Sequence, residues 1–406
     1  MMTTWAESLP TPAIPERSDR SLRQLACKAL WLLWIGSLLL GGIGVYQRFT
    51  QGHLPAGYGS YVPWGLWVAL YFHGVGIAGG AFVLGAGGYV LNLPGFRSEH
   101  VLRTVIVLSA ATILPAFLGI WFDLGHMERA HFIFTRPSFT SMMSFNAWMY
   151  GVFLGVAALA FLLSYWKNSQ WLKPLLSLGV VFSILFPSQS GAFFGVVDAK
   201  PFWHSPLLPI LFLASAVTAG GALLLCVRWL LGRDDPATDD ALRRLRLATL
   251  GGLIFYFSME FAEFSLSLWN PNIHEPALEL VLWGPYWWMF WIVHLAIGGI
   301  VAFALLISRS RIAWVAGAFL VALTFVSARL NVLVPGQAVG ELDGLQAAFQ
   351  HPRLDYTYHA SLNEYLVGLF MLAAGMTVFY VGSRINQVLA AWFSRSGRDA
   401  NHESQA

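Results

Sequence analysis

The densest run of reactive side chains is Asp123-Leu124-Gly125-His126-Met127-Glu128-Arg129, followed closely by Thr135-Arg136-Pro137. Gly125 and Pro137 mark a turn region. A turn there can gather a carboxylate, an imidazole and a guanidinium at one point. Those groups suit a substrate with two carbonyls that take up protons on reduction. Donors can hold each carbonyl oxygen, and a carboxylate beside a His or Tyr can act as acid and base. A quinone is such a substrate. The blander expectation is a loop pinned by Arg–carboxylate pairs.

Glu260 and Glu263 stand three positions apart, so on a helix they share a face. Two close carboxylates resist double ionisation, and one then keeps a proton near neutral pH. With His294 and Arg329 they form a candidate proton path. The alternative is a pair tied to Arg329 or to Tyr hydroxyls. The candidate binding set is completed by Tyr71 and His73 in Tyr71-Phe72-His73-Gly74, by Tyr150, and by Ser188 and Ser190 in Pro187-Ser188-Gln189-Ser190-Gly191. His73 with His294 is also the pairing that could ligate a haem. Haem-b bundles carry several such pairs, so no haem is expected. Cys27 and Cys226 are too few for an iron–sulfur cluster or a structural zinc site, so no metal is expected either.

The elements that must position these residues are membrane helices. Of 406 residues, 57% are hydrophobic and 11% charged, with 18 Trp and 30 Phe; soluble domains are about 25% charged. A water-soluble enzyme, a disordered chain and a nucleic-acid module are excluded. Ten apolar runs reach the length of about 20 residues that a helix needs to cross the bilayer core. They are 26–46, 63–92, 101–124, 145–166, 173–195, 204–230, 243–268, 282–308, 311–333 and 358–382. Period-2 alternation is absent, which rejects a β-barrel. Residues 1–25 lack the apolar run of a signal peptide. They are expected to form a cytoplasmic tail before a membrane domain, 26–382, and a second cytoplasmic tail, 383–406. The connection 334–357 has room for a helix lying at the surface.

With the N-terminus inside, 18 of the 24 Lys and Arg fall on the inner side, and Arg48, Arg129, Arg136, Lys200, Arg329 and Arg353 on the outer. This bias predicts cytoplasmic termini. Asp123, Ser188, Ser190, Glu260, Glu263, Arg329, Asn331 and Glu364 then crowd the outer halves of their helices. His73 and His294 lie nearer mid-depth, about 15–18 Å in at 1.5 Å per residue. The polar machinery faces outward. A motif also repeats: Ala78-Gly79-Gly80-Ala81 recurs as Ala219-Gly220-Gly221-Ala222, four helices later and in the same direction. A parallel repeat satisfies this, with helices 2–5 and 6–9 as two four-helix bundles flanked by helices 1 and 10. The alternative is that small residues recur wherever helices pack closely.

Several of these segments resemble one family. Pro63-Trp64-Gly65-Leu66-Trp67-Val68-Ala69-Leu70, followed by Gly76-Ile77-Ala78-Gly79-Gly80, resembles the opening helix of the NrfD/polysulfide-reductase membrane subunits. Asp123-Leu124-Gly125 continuing to Thr135-Arg136-Pro137-Ser138-Phe139-Thr140-Ser141 is similar to the same family. Pro187-Ser188-Gln189-Ser190-Gly191, Trp203 and Pro206-Leu207-Leu208-Pro209 resemble its ten-helix branch, which includes hydrogenase membrane subunits. Arg329-Leu330-Asn331 and the segment from Tyr358 to Glu364 also match. The resemblance covers roughly residues 60–380. It implies a haem-free, multi-pass subunit of a bacterial cytoplasmic membrane that binds menaquinone or ubiquinone. It also implies an extracytoplasmic, ferredoxin-like iron–sulfur partner and further catalytic or cytochrome subunits, with proton translocation as an added expectation. Asp123 corresponds to the family's acidic quinone-site residue, and Tyr71 and His73 match polar positions of the opening helix. His126 stands where many relatives have Arg, and His294 near where hydrogenase-type relatives carry a carboxylate. Two other readings stay open: a haem-b electron carrier, and a secondary transporter, whose site should lie at the midplane between discontinuous helices.

Overall fold

The computed structural model describes residues 16–403, apart from 167–168, 233, 270–274, 343, 345–347, 349–350 and 352–353. Lys167, Arg233 and Arg353 of the charge count, most of the tail 1–25 before Glu16, and much of the connection expected to hold a surface helix lie outside the described residues. Among the described residues, ten helices are long and apolar enough to cross a membrane: α1 Glu16–Gln51, α2 Leu66–Val90, α3 Glu99–Asp123, α4 Met142–Leu163, α5 Leu172–Gly195, α6 Leu208–Leu231, α7 Pro236–Trp269, α8 Met289–Ile307, α9 Arg311–Ala338 and α10 Leu362–Glu403. No strand occurs among the described residues. The protein is an all-α, multi-pass membrane protein, as the ten apolar runs predict.

α1, α7 and α10 overrun their apolar runs. Extending a formed helix adds a hydrogen bond per residue, so polar flanks continue it until a breaker intervenes. The even number of crossings brings both termini to one end of the bundle. That end is called terminal here, and the opposite one distal.

α2 is the central helix, packed on α3, α5 and α6. α2–α5 close one bundle around Phe82, Ile113, Phe153, Leu176 and Phe186, all fully buried. α6 packs on α7 and α9, and α8 on α9, to give the second. α1 and α10 pair with each other, and α10 leans on α3. The repeated motif is where the two bundles meet. A Cβ on Gly80 would overlap the Ala216 carbonyl, and one on Gly220 would overlap the main chain of Gly80 and Ala81. Only glycine allows that approach of two backbones.

Two spans depart from regular α-helix. α8 is π-helical over Met289–Val301 before an α-helical end, Ala302–Ile307. α9 is interrupted at Phe325, between Arg311–Thr324 and Val326–Ala338. Such irregularities redirect side chains and release backbone groups. His294 and Ser327 sit on these two segments and face each other.

Candidate functional site

The candidate residues fall into three buried clusters and one surface loop. The first cluster surrounds Asp123, the last residue of α3 at the distal end. One of its carboxylate oxygens is buried with no hydrogen-bond partner among the described residues, and the same holds for the Tyr58 hydroxyl. Arg48, buried near the end of α1, donates from Nε to the Phe122 carbonyl at 2.7 Å and from Nη2 to that of Leu124 at 2.9 Å. His53 lies 3.2 Å from the same Phe122 oxygen through Nε2. The guanidinium and imidazole beside Asp123 therefore come from α1 and its following turn. His53, Tyr58 and Trp67 form an aromatic wall, with ring centroids 5.4 Å and 5.8 Å apart along the series. Burial, then the negative charges of Asp123 and Glu364, push the Tyr58 phenol far above its ordinary range, and Arg48 opposes this only weakly. Tyr58 is thus a neutral donor at any working pH.

Glu364 closes the cluster from α10. It is fully buried, yet it accepts from Gly57 N at 2.8 Å, Ser361 N at 3.0 Å, Leu66 N at 3.3 Å and Tyr358 Oη at 2.6 Å. A buried carboxylate is tolerated when its oxygens are saturated in this way. Burial and Glu364 together raise the Tyr358 phenol, which stays protonated and holds its bond. Glu364 thereby ties α10 to the start of α2.

His126 and Arg136 do not join Asp123. Gly125 turns the chain out of the membrane, and His126 pairs with Glu128 at 3.0 Å on the exposed surface. Arg136 is exposed and lies over the Phe132 ring, 4.8 Å from its centroid. The Arg–carboxylate pinning weighed for this loop amounts to an exposed Glu128–Arg129 contact at 3.7 Å, which contributes little.

The second cluster lies inside the α2–α5 bundle and is internally bonded, with Asn146 Oδ1 left without a partner among the described residues. Tyr71 Oη donates to Tyr150 Oη at 3.0 Å, Tyr150 Oη meets Ser190 Oγ at 3.1 Å, and Asn146 Nδ2 donates to Ser190 Oγ at 3.1 Å. Ser190 Oγ also donates to the Phe186 carbonyl at 2.8 Å. Ser188 is half-buried nearby on α5. His73 points the other way and bonds the Ala322 carbonyl of α9 through Nε2 at 2.8 Å, just before the break at Phe325.

The third cluster lies in the α6–α9 bundle. Fully buried His294 bonds both Glu260 oxygens through Nε2 at 3.1 Å and Ser327 Oγ through Nδ1 at 3.1 Å. Tyr256 Oη donates to Glu260 at 2.8 Å. The partners of Glu260 are thus an imidazole and a phenol, and Glu263 turns instead toward a cleft. Arg329 donates to the Phe212 carbonyl at 3.1 Å and stacks 3.9 Å over the Phe212 ring. It stands within electrostatic reach of Tyr150 in one bundle and Tyr256 in the other. His73 and His294 make separate contacts. Among the described residues no group of three or more His, Cys, Asp or Glu could hold a metal ion.

Arg48, His53 and Tyr58 were not singled out as site residues by sequence reasoning. One signal was present: Arg48 is an exception to the positive-inside count, a cation at the wrong end of an apolar helix.

Comparison with known proteins places these clusters in context. The family described as "Polysulphide reductase, NrfD" matches residues 56–340, more than half of the chain. A selenate reductase subunit from Mesobacillus selenatarsenatis is 28% identical, over 84% of this chain and 90% of its own length. The Hdr-like menaquinol oxidoreductase integral membrane subunit of Archaeoglobus fulgidus is 26% identical, over 81% and 86%. Protein NrfD of Escherichia coli is 24% identical, over 59% and 82%. The family match begins after α1 and ends before α10, so Arg48, His53 and Glu364 lie outside it.

Proposed function

Since this chain belongs to the NrfD polysulphide reductase family, we propose that it is the quinone-exchanging membrane subunit of a multi-subunit oxidoreductase. Its relatives include a subunit of a selenate reductase and a protein that is by name the integral membrane subunit of a menaquinol oxidoreductase. The observation that carries the reading is the pair of buried, unpartnered groups at the distal end, Asp123 Oδ1 and Tyr58 Oη. Orphaned buried polar atoms are rare and call for a ligand or water. A donor and a carboxylate beside an aromatic wall fit a planar dicarbonyl head group. Bound there, menaquinone or ubiquinone would supply exchange of two electrons and two protons.

The residues would divide the work among themselves. Tyr58 donates a hydrogen bond to one carbonyl oxygen, and Asp123 holds or releases the proton that accompanies the electrons. Arg48, fixed by two carbonyls, sets the charge beside Asp123, and His53 supplies a second protonatable ring. Trp67, Trp121 and Phe122 keep water out. Tyr71, Tyr150, Ser188 and Ser190 form the deeper polar wall on α2, α4 and α5, and His73, turned away from it, links α2 to α9. Glu260, Glu263, His294 and Arg329 form a proton route in the second bundle.

The charge bias supports cytoplasmic termini, and the family resemblance supports a bacterial inner membrane. The distal loop carrying His126 and Arg136 then faces outward, where a ferredoxin-like iron–sulfur subunit would dock close enough to exchange electrons. Asp123→Asn should cut quinone-coupled turnover of the assembled complex about 10²- to 10⁴-fold, the usual worth of a positioned acid–base group, with subunit composition unchanged. Normal turnover would remove Asp123 from the mechanism. Cross-links from residues 125–140 should capture the iron–sulfur partner in intact membranes, and capture of cytoplasmic proteins alone would overturn the topology.

A further inference from the structure

The α6–α9 bundle contains a small cleft of about 20 Å³, lined by Phe212, Tyr256, Glu260, Glu263, Arg329 and Asn331. Phe202, in the turn before α6, and Leu208, at the start of α6, also line it, and Glu260 joins it to His294. Arg329 is 4% exposed and Asn331 2%. Even so, Arg329 Nε and both the Nδ2 and Oδ1 of Asn331 lack hydrogen-bond partners among the described residues. A buried polar atom left dry is destabilising, so each of these calls for a partner.

The orphans choose the ligand. Two are donors and one is an acceptor, and carboxylates line the same wall. An anion would satisfy the donors but face Glu260 and Glu263. A ligand with carbonyls alone would leave Asn331 Oδ1 unmet. Water donates and accepts, and a buried water typically makes about three hydrogen bonds to such groups. We infer that this cleft, with room for about one water molecule, holds ordered water that links Glu260 and His294 to Glu263 toward the distal end of α7, and so acts as their proton-exchange port. The inference rests on reading Glu260 and His294 as a proton route, and it locates that route's exit. No bond to carbon forms or breaks. A proton leaves the Glu260–His294 pair, passes along water held by Arg329 and Asn331, and reaches Glu263 near the mouth.

Hydroxyl-radical labelling of the full-length protein in lipid nanodiscs tests this, because radicals form where water is bound. Tyr256 and Phe212 should be labelled despite their burial, and fully buried Phe153 in the other bundle should not. Asn331→Leu should reduce the Tyr256 label to the Phe153 level, and Asn331→Ser, which keeps a polar group, should retain it. An unlabelled Tyr256 in the native protein, or an unchanged label in Asn331→Leu, would overturn the port. A second measurement uses the intact complex in vesicles. Asn331→Leu should keep electron transfer to a soluble quinone analogue and lower the number of protons released on the distal side per electron below the native value, and an unchanged number would likewise overturn the port. Labelling does not depend on turnover, so absence of quinone turnover in the native complex would count against the quinone reading alone.

Discussion

The two four-helix bundles share a scaffold and differ in what they do with their polar side chains. Ala78 and Ala219 are 141 positions apart, and so are Tyr71 and Phe212, Ser188 and Arg329, and Ser190 and Asn331. In the α2–α5 bundle, Tyr71, Tyr150, Ser190 and Asn146 bond one another in a chain that leaves Asn146 Oδ1 over. At the equivalent places of the α6–α9 bundle, Phe212 has no hydroxyl to offer, and Arg329 and Asn331 keep unpartnered atoms facing a cleft. Removing one hydroxyl and enlarging two serines replaces a hydrogen-bonded chain, with Asn146 Oδ1 left over, by side chains that keep three unpartnered atoms against a cleft. A connected polar chain rigidifies a core, and a group of orphaned atoms must recruit something from outside.

The comparison can be broken most severely at its seam. Gly80→Ala would drive a methyl into the Ala216 carbonyl, whereas Gly155→Ala on α4 adds a methyl to open space. Overpacking against backbone costs about 1–3 kcal/mol or more. The first variant should lose most of its folded yield in detergent, and the second should match the native thermal midpoint. A smaller effect separates the interiors themselves. Ser190→Ala strands Tyr150 and Asn146 and should cost about 1–3 kcal/mol. Asn331→Ala removes two groups that have no protein partner and should be close to neutral. Equal losses in thermal unfolding would show that the two interiors do not differ. Smallest of all, Tyr71→Phe copies the second bundle into the first. It removes one bond of a chain that keeps its Tyr150–Ser190 link, and should lower stability by about 0.5–1.5 kcal/mol.

The spans were legible because burying about 20 apolar residues per helix leaves no other solution in a bilayer. The family was legible too, from the motif around Gly79 and Gly80 and the run after Asp123. Asp123's surroundings were not. His126 and Arg136 are near it in sequence, but Gly125 ends the helix and carries them to the surface. Arg48 and Glu364 are far away in sequence and arrive only when α1 and α10 pack beside α3. Glu260 and Glu263 share a helix, yet their separation into a His294 partner and a cleft wall depends on how α8 and α9 present their side chains. The π-helical turn of α8 and the break at Phe325 set that presentation, and periodicity of apolar residues does not report either.

The contact of Gly80 with Ala216 and of Gly220 with Gly80 and Ala81 also has a mechanical consequence. Side chains at most helix crossings act as springs: they change rotamer, and the helices slide a little. Here two main chains touch, and there is no spring. A transporter that alternates access rocks one repeat against the other, and in this molecule such rocking would have to prise apart two backbones at the centre of the membrane. The joint favours a chassis that holds fixed distances. Electrons and protons can cross a rigid body, because neither needs a passage wide enough for a solute.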